Sequence, residues 1–207
     1  MQSYIHLIYL VLLLTGVMIL IENRLKRIIY LIGFQGFLLI FPAFQLHEND
    51  LFHTLLLSGM ILVFKTALTM SVLLWTMKRS DLSEHTSPRF GYIATLLFFF
   101  GGLAVTIKIV EGMTELPPNV DKLEVIYSFL LVYMGILSFI ARTHWAVLMI
   151  GFTMFENGIF LLALLLRHGL PFGVEFGAFV DTLLIIITGI ALQFRSSQLQ
   201  SLKGENQ

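Results

Sequence analysis

The chain has 207 residues, of which 57% are hydrophobic and only 13% are charged, and its mean hydropathy is +0.87. Soluble domains carry about 25% charged residues, so this composition excludes an ordinary soluble domain and indicates a multi-pass membrane protein. The formal net charge is zero and there is no cysteine. These two facts give no sign of nucleic-acid binding and exclude disulfides, thiol catalysis and cysteine-held iron–sulfur or zinc centres in this chain.

Long apolar runs predict seven membrane-spanning helices, because one span needs about 20 apolar residues. The runs cover roughly residues 4–21, 28–46, 52–77, 90–110, 124–141, 144–166 and 173–194. The first run has no basic segment before it and no small-residue cleavage site after it, so it is predicted to be a helix rather than a signal peptide. A very short break at Arg142–His144 predicts that the fifth and sixth helices form an antiparallel hairpin.

The basic residues predict the direction of insertion, because segments on the cytoplasmic side carry an excess of Lys and Arg. With the N-terminus outside, nine basic residues lie in inner segments and three in outer segments, and Lys65 lies within the membrane. The opposite orientation reverses this count. The sequence therefore predicts an N-out, C-in arrangement.

The two ends of the chain resemble each other at an offset of 118 residues. Between Ile8 and Phe34, eight of 27 pairs are identical, and they include Arg24 with Arg142 and the Ile-Gly-Phe triplet that ends at Phe34. Shared apolar bias is the competing explanation for such matches. We interpret the match as a duplication with a 3+1+3 arrangement of parallel repeats.

This arrangement predicts four parts of the chain. Residues 1–80 form the first three-helix repeat, and residues 81–120 form a spacer helix with an outer loop. Residues 121–195 form the second three-helix repeat, and residues 196–207 form a cytoplasmic tail.

Three ionisable residues fall deep inside the predicted spans: Lys65, Glu156 and Asp181. A charged side chain at the centre of a bilayer costs roughly 2.5–3.5 kcal/mol on insertion scales, and such residues mark ion or proton paths. Burial raises the pKa of an acid and lowers the pKa of a base, and a nearby opposite charge has the reverse effect on each. We therefore predict that the three residues serve a proton path or its coupling. The alternative is a static salt bridge, for example between Lys65 and Asp181, that only fixes helix packing.

Four polar residues lie in the predicted membrane helices near these charges: Asn157, Thr66, Thr182 and Tyr127. We expect them to supply hydrogen bonds or to hold water beside the charged groups. The histidines are dispersed and do not share a helix face with an acid at ligand spacing, so no metal site is predicted.

The stretch 150–166, with Glu156-Asn157-Gly158 at its centre, resembles component E of hydrogenase-4 type membrane complexes, the HyfE family. Lys65 in Phe-Lys-Thr matches a lysine in that family's third helix, and the acid-bearing stretch 175–183 and the tail 198–204 are similar to its C-terminal region. The second repeat is also similar to the NuoK subunit of complex I and to the C subunit of Mrp antiporters. The first repeat departs from the NuoK pattern, because Leu38 aligns with Glu156 and Lys65 replaces the second acid.

The resemblance implies a membrane-arm subunit of a group 4 [NiFe]-hydrogenase or complex I-like ion pump in a prokaryotic cytoplasmic membrane. Its implied partners are antiporter-like membrane subunits, other membrane-arm subunits and a peripheral redox module. This chain would itself carry no cofactor, and iron–sulfur clusters and a [NiFe] site would belong to partner subunits. Two alternatives stay open: a subunit of an Mrp-type cation/proton antiporter without redox chemistry, and a scaffold subunit without an ion path.

Overall fold

The computed structural model describes residues 2–46, 51–79, 85–113, 116 and 120–165. Within these ranges the chain is helical and forms no strand apart from an isolated bridge between Arg24 and His85. This confirms the all-α class. The predicted seventh span at 173–194, the tail, Asp181 and Thr182 lie outside the described residues.

Eight α-helices and one π-helical segment make up this part of the chain. They are α1 (Gln2–Ile21), α2 (Leu25–Leu38), α3 (Ile40–Leu46), α4 (Leu51–Met60), the π-helical segment (Ile61–Leu68), α5 (Thr69–Arg79), α6 (Gly91–Glu111), α7 (Lys122–Ala141) and α8 (Trp145–Leu165).

Six stretches of the described chain are long and apolar enough to cross a membrane. They are Tyr4–Ile21, Leu25–Phe44, Leu55–Lys78, Gly91–Glu111, Lys122–Ala141 and Trp145–Leu165. The first six predicted runs overlap these stretches, which confirms six apolar helices of the length that a membrane span needs. The total of seven spans and the duplication stay predictions.

The second span is interrupted between α2 and α3, where Leu39 separates the two helices. Pro42 explains the break, because its ring clashes with the carbonyl group four residues earlier, here that of Leu38, and it has no N–H to donate. At the break, the N–H of Leu39 donates to the carbonyl oxygen of Gly36, three residues earlier, at 3.3 Å.

The third span changes its winding in the middle, where the π-helical segment joins α4 to α5. Both the N–H and the hydroxyl group of Thr69 donate to the carbonyl oxygen of Phe64, five residues earlier, and the hydroxyl bond measures 2.9 Å. This pair of bonds stabilises the wider turn. Helical segments of this kind are rare and occur frequently at functional sites.

The α7–α8 hairpin is the most closely packed pair of helices. A Cβ atom on Gly135 would lie 2.5 Å from the backbone nitrogen of Phe155, and one on Gly158 would lie 2.5 Å from the backbone nitrogen of Val132. Small residues let two membrane helices approach to backbone contact in this way. The predicted antiparallel hairpin is confirmed.

Helix α1 packs beside α7 with equivalent residues of the two predicted repeats in contact. The rings of Tyr9 and Tyr127 stack with centroids 6.0 Å apart. Seven residues further along, a Cβ atom on Gly16 would lie 2.7 Å from the terminal methyl carbon of Met134. Both contacts join residues that are 118 positions apart, so α1 and α7 run parallel and in register.

Candidate functional site

A buried cation lies at the centre of the described bundle. Lys65, on the π-helical segment, exposes only 4% of its surface. Its Nζ donates a hydrogen bond to Oδ1 of Asn157 on α8 at 3.3 Å and lies 5.6 Å from the centre of the Phe160 ring. An amide oxygen and a ring face both stabilise an ammonium group, and the ring contributes through its quadrupole.

The hydrogen bonds continue from Asn157 across two more helices. The side-chain nitrogen of Asn157 donates to Oε1 of Gln35 on α2 at 3.1 Å. The side-chain nitrogen of Gln35 in turn donates to the Leu12 carbonyl oxygen and to the Thr15 hydroxyl oxygen on α1, each at 3.2 Å. Thr15 itself donates to the Leu12 carbonyl oxygen at 2.6 Å. We call Thr15, Gln35, Lys65 and Asn157 the polar network.

The polar network lies at one level, close to the middle of each span. Gln35 is central in Leu25–Phe44, Lys65 is near the centre of Leu55–Lys78, and Asn157 follows the central part of Trp145–Leu165. Water is scarce at that depth of a bilayer, so polar groups there must find partners within the protein. Four different spans contribute to this one set of contacts.

Glu156 lies directly beside the polar network in the sequence and exposes 9% of its surface. Its Cα is about 3.8 Å from that of Asn157, as for any adjacent pair. Lys65 therefore contacts α8 through Asn157, the residue that follows Glu156 in the sequence. Asp181, the third predicted ionisable residue, lies outside the described residues.

The predicted supporting residues take different positions. Asn157 contacts Lys65 directly, as described above. Thr66 faces α2, where its hydroxyl oxygen is 3.2 Å from the position of a Cβ atom on Gly36, and it makes no hydrogen bond within the described residues. Tyr127 stacks on Tyr9, which is six residues before Thr15 and thus about 9 Å away along α1. Tyr127 is therefore separate from the polar network, and Thr182 lies outside the described residues.

Sequence reasoning missed Gln35 and Thr15. Gln35 is the one amide side chain between Leu25 and Phe44, in the middle of an otherwise apolar run. The criterion that selected Glu156, a polar side chain at mid-span depth, would also have selected Gln35. Thr15 carried no such signal, because threonine is frequent in membrane helices and bonds to its own backbone.

A second buried cation, Arg142, ties together the ends of several helices. Its guanidinium group donates to the carbonyl oxygens of Leu20 and Glu22 at 2.7 Å and to that of Thr86 at 2.8 Å. Burial lowers the pKa of Arg142, and the attraction of Tyr92 and Glu22 opposes that effect. Arg142 falls in a predicted inner loop, among the basic residues that set the direction of insertion. The structure instead buries its side chain against the end of α1 and the chain before α6.

The segment around Glu22 completes this junction. Burial raises the pKa of the Glu22 carboxyl group, but hydrogen bonds from the backbone N–H groups of Arg24 and Asn23 outweigh this and lower it. The backbone N–H of Thr86 donates to the carbonyl oxygen of Asn23 at 2.7 Å. These contacts fix the connection between α1 and α2 against the chain that precedes α6. Each of these hydrogen bonds ends on at least one backbone group, which indicates an architectural role for the junction.

Comparison with known proteins shows a distant similarity. The uncharacterized Mycobacterium tuberculosis protein Rv0085 is 29% identical over 183 residues, which cover 85% of this chain and 81% of the relative. No protein-family model and no solved structure matches. In the part of the chain that the structure describes, no group of three or more His, Asp or Glu side chains is placed to hold a metal ion.

Proposed function

We propose that this chain is a membrane-arm subunit of a group 4 [NiFe]-hydrogenase or complex I-like redox-driven ion pump. In this role Lys65, Glu156 and Asp181 contribute buried charge to proton translocation or to its coupling. The chain would lie in a prokaryotic cytoplasmic membrane beside antiporter-like subunits, other membrane-arm subunits and a peripheral redox module. Electron transfer would belong to iron–sulfur clusters and a [NiFe] site in those partners.

The observation that carries the proposal is the buried Lys65 ammonium group held by Asn157, next to Glu156, in the middle of four spans. Ionisable groups are expensive at this depth, and in membrane proteins they mark proton relays and ion paths. A group needed only for packing could be replaced by an apolar side chain at lower cost. The presence of a base and an acid in the middle of these spans therefore favours a role that needs their charge.

The duplication is part of the proposal. The parallel contacts of α1 with α7 at an offset of 118 residues support it. So do the connections after α1 and after α7, residues 22–24 and 142–144, which both contain three residues. Under this arrangement Asp181 takes the position in the second repeat that Lys65 takes in the first.

The proposed chemistry uses proton exchange between groups whose charges depend on each other. Protonation of Glu156 removes its negative charge and with it part of the attraction for the Lys65 ammonium group. Movement of Lys65 away from α8 breaks its hydrogen bond to Asn157, next to Glu156. Alternation between these two states would load and release one proton for each cycle of movement.

The test is to replace Glu156 by Gln in the intact complex and to measure redox turnover together with proton movement. Reduced viologen supplies electrons to the complex in sealed vesicles, and a pH-sensitive dye reports proton uptake. We expect turnover to persist while proton uptake for each electron falls strongly. Glu111→Gln is the matched control, because Glu111 is an exposed residue at the end of α6.

Three other outcomes would contradict the proposal. Normal proton uptake with Glu156→Gln in a fully assembled complex would remove Glu156 from the path. Loss of assembly with Glu156→Gln but not with Glu111→Gln would favour a scaffold subunit. Sodium or proton exchange by a complex without any viologen-dependent turnover would favour an Mrp-type antiporter.

A further inference from the structure

We propose that Gln35 is a positioning residue that orients the amide group of Asn157 and thereby fixes the Lys65 ammonium group. Its importance for ion movement rests on the proposed function, but the geometry stands without it. Gln35 belongs to the predicted first repeat, which has Leu38 where the second repeat has Glu156. The inference therefore gives the first repeat a direct part in the buried site.

The direction of the hydrogen bonds begins at α1. The Leu12 carbonyl oxygen can only accept, so the group of Gln35 that faces it must be the NH₂ group. Thr15 adds a second acceptor for the same NH₂ group, because its own proton is given to Leu12. Oε1 of Gln35 therefore points away from α1 and towards α8.

The same reasoning fixes Asn157. Its NH₂ group must face Oε1 of Gln35, since two amide oxygens cannot bond to each other. Its Oδ1 then faces Lys65, and an ammonium group, which can only donate, needs such an acceptor. Every bond from Lys65 to Leu12 has the same sense, and bonds arranged in this way polarise and strengthen one another in a medium of low dielectric constant.

The backbone next to Gln35 makes the coupling tight. A Cβ atom on Gly36 would lie 2.9 Å from the carbonyl oxygen of Lys65 and 3.2 Å from its carbonyl carbon. Helix α2 therefore touches the π-helical segment at the residue that carries the cation, while Gln35 reaches from the same helix to α1 and α8. A shift of α2 against α8 would separate Gln35 from Asn157, free the Asn157 amide to turn and move its Oδ1 away from Lys65.

Solid-state NMR of the full-length chain in lipid bilayers measures this arrangement directly. Lysine is labelled with nitrogen-15 at Nζ, and asparagine with carbon-13 at Cγ. The nitrogen–oxygen separation of 3.3 Å and a C=O bond of about 1.23 Å place Nζ of Lys65 within about 4.5 Å of Cγ of Asn157. Dipolar recoupling detects such a pair, and its disappearance in Lys65→Arg assigns it.

The informative variant is Gln35→Met, which keeps a similar volume but has no amide group. We expect the contact between Lys65 and Asn157 to be lost in Gln35→Met. We expect it to persist in Thr15→Val, because the Leu12 carbonyl oxygen still sets the direction of Gln35. Thr153→Val is the matched control, because this buried hydroxyl of α8 bonds only to Met149 within its own helix among the contacts of the described chain. Persistence of the contact in Gln35→Met would overturn the inference.

The wild-type chain provides a measurement that does not depend on the folding of a variant. With nitrogen-15 on the Asn157 amide and carbon-13 at Cδ of Gln35, the bond of 3.1 Å predicts a separation of at most about 4.3 Å. The reciprocal labels, nitrogen-15 on the Gln35 amide and carbon-13 at Cγ of Asn157, should give a clearly longer separation. A shorter separation for the reciprocal pair would mean that the amides point the other way, and the inference would be wrong.

These measurements separate the inference from the proposed function. If the amide directions hold but Glu156→Gln leaves proton uptake unchanged, the proposed function fails and Gln35 still positions Lys65. If proton uptake depends on Glu156 but the contact survives in Gln35→Met, the proposed function stands and Gln35 has no positioning role.

Discussion

Replacement of Asn157 by Leu tests the energetic importance of the polar network. The substitution removes one acceptor of the Lys65 ammonium group and the donor to Oε1 of Gln35. A hydrogen bond to a charged group contributes about 1.5–3 kcal/mol, and one between neutral side chains in a membrane contributes about 0.6 kcal/mol and at most about 1.7. We therefore expect Asn157→Leu to lower the free energy of unfolding by about 2–4 kcal/mol.

The assay is equilibrium unfolding in mixed micelles of a mild detergent and dodecyl sulfate, followed by tryptophan fluorescence. Trp145 begins α8 and Trp75 lies in α5, so both belong to spans that contribute to the polar network. Thr153→Val, on the same helix as Asn157, should cost less than about 1 kcal/mol. In a Lys65→Met background the cost of Asn157→Leu should fall to about 0.6–1.7 kcal/mol, because the charged partner is gone. An equal cost in both backgrounds would refute the direct contact between Lys65 and Asn157.

Three further predictions concern other parts of the described fold. Arg142→Lys should lower the free energy of unfolding by about 2–4 kcal/mol in the same assay, because a lysine lacks the planar guanidinium group that reaches three separate carbonyl oxygens. The control Arg24→Lys, at an exposed residue, should change it by no more than about 0.5 kcal/mol. Equal costs for the two substitutions would contradict the role of Arg142 in joining the helix ends. Gly135→Ala should cost about 1–3 kcal/mol and weaken the α7–α8 hairpin, whereas Gly101→Ala, which has open space around it, should cost less than about 0.5 kcal/mol. Burial lowers the pKa of His144, so below about pH 6.5 the unfolded chain binds a proton that the folded chain does not, and stability falls as the pH falls. His144→Gln should reduce the loss of stability between about pH 7.5 and pH 5.5, and an unchanged loss would show that His144 does not contribute to it.

Most of the helix boundaries could be predicted because the bilayer imposes a length on apolar runs. The run at 90–110 became α6 at Gly91–Glu111, and the run at 144–166 became α8 at Trp145–Leu165. The break between α2 and α3 was not predicted, although Pro42 carries its cause, because hydropathy alone treats proline in an apolar run as part of the span. The π-helical segment depends on the bonds of Thr69 to Phe64, which no apolar pattern reveals.

The candidate site was predictable only in part. A single ionisable side chain in an apolar run is a local signal, and it selected Lys65 and Glu156. The contacts of Lys65 are tertiary, because Asn157 is 92 positions away and Gln35 bonds to Asn157 across 122 positions. Arg142 was predicted to be an exposed charge, because basic residues at the ends of spans usually face the aqueous phase. Its burial depends on tertiary contacts with the carbonyl oxygens of Thr86 and Leu20, which the sequence does not reveal.

The central claim is that the chain works inside a redox-driven ion pump, and the metal content of its native complex tests this most directly. The full-length chain is purified from membranes in a mild detergent through a tag, and iron and nickel are measured relative to the chain. We expect both metals to elute with the chain and with antiporter-like subunits in fixed proportion. Recovery of the antiporter-like subunits in an intact complex that holds neither iron nor nickel would contradict it.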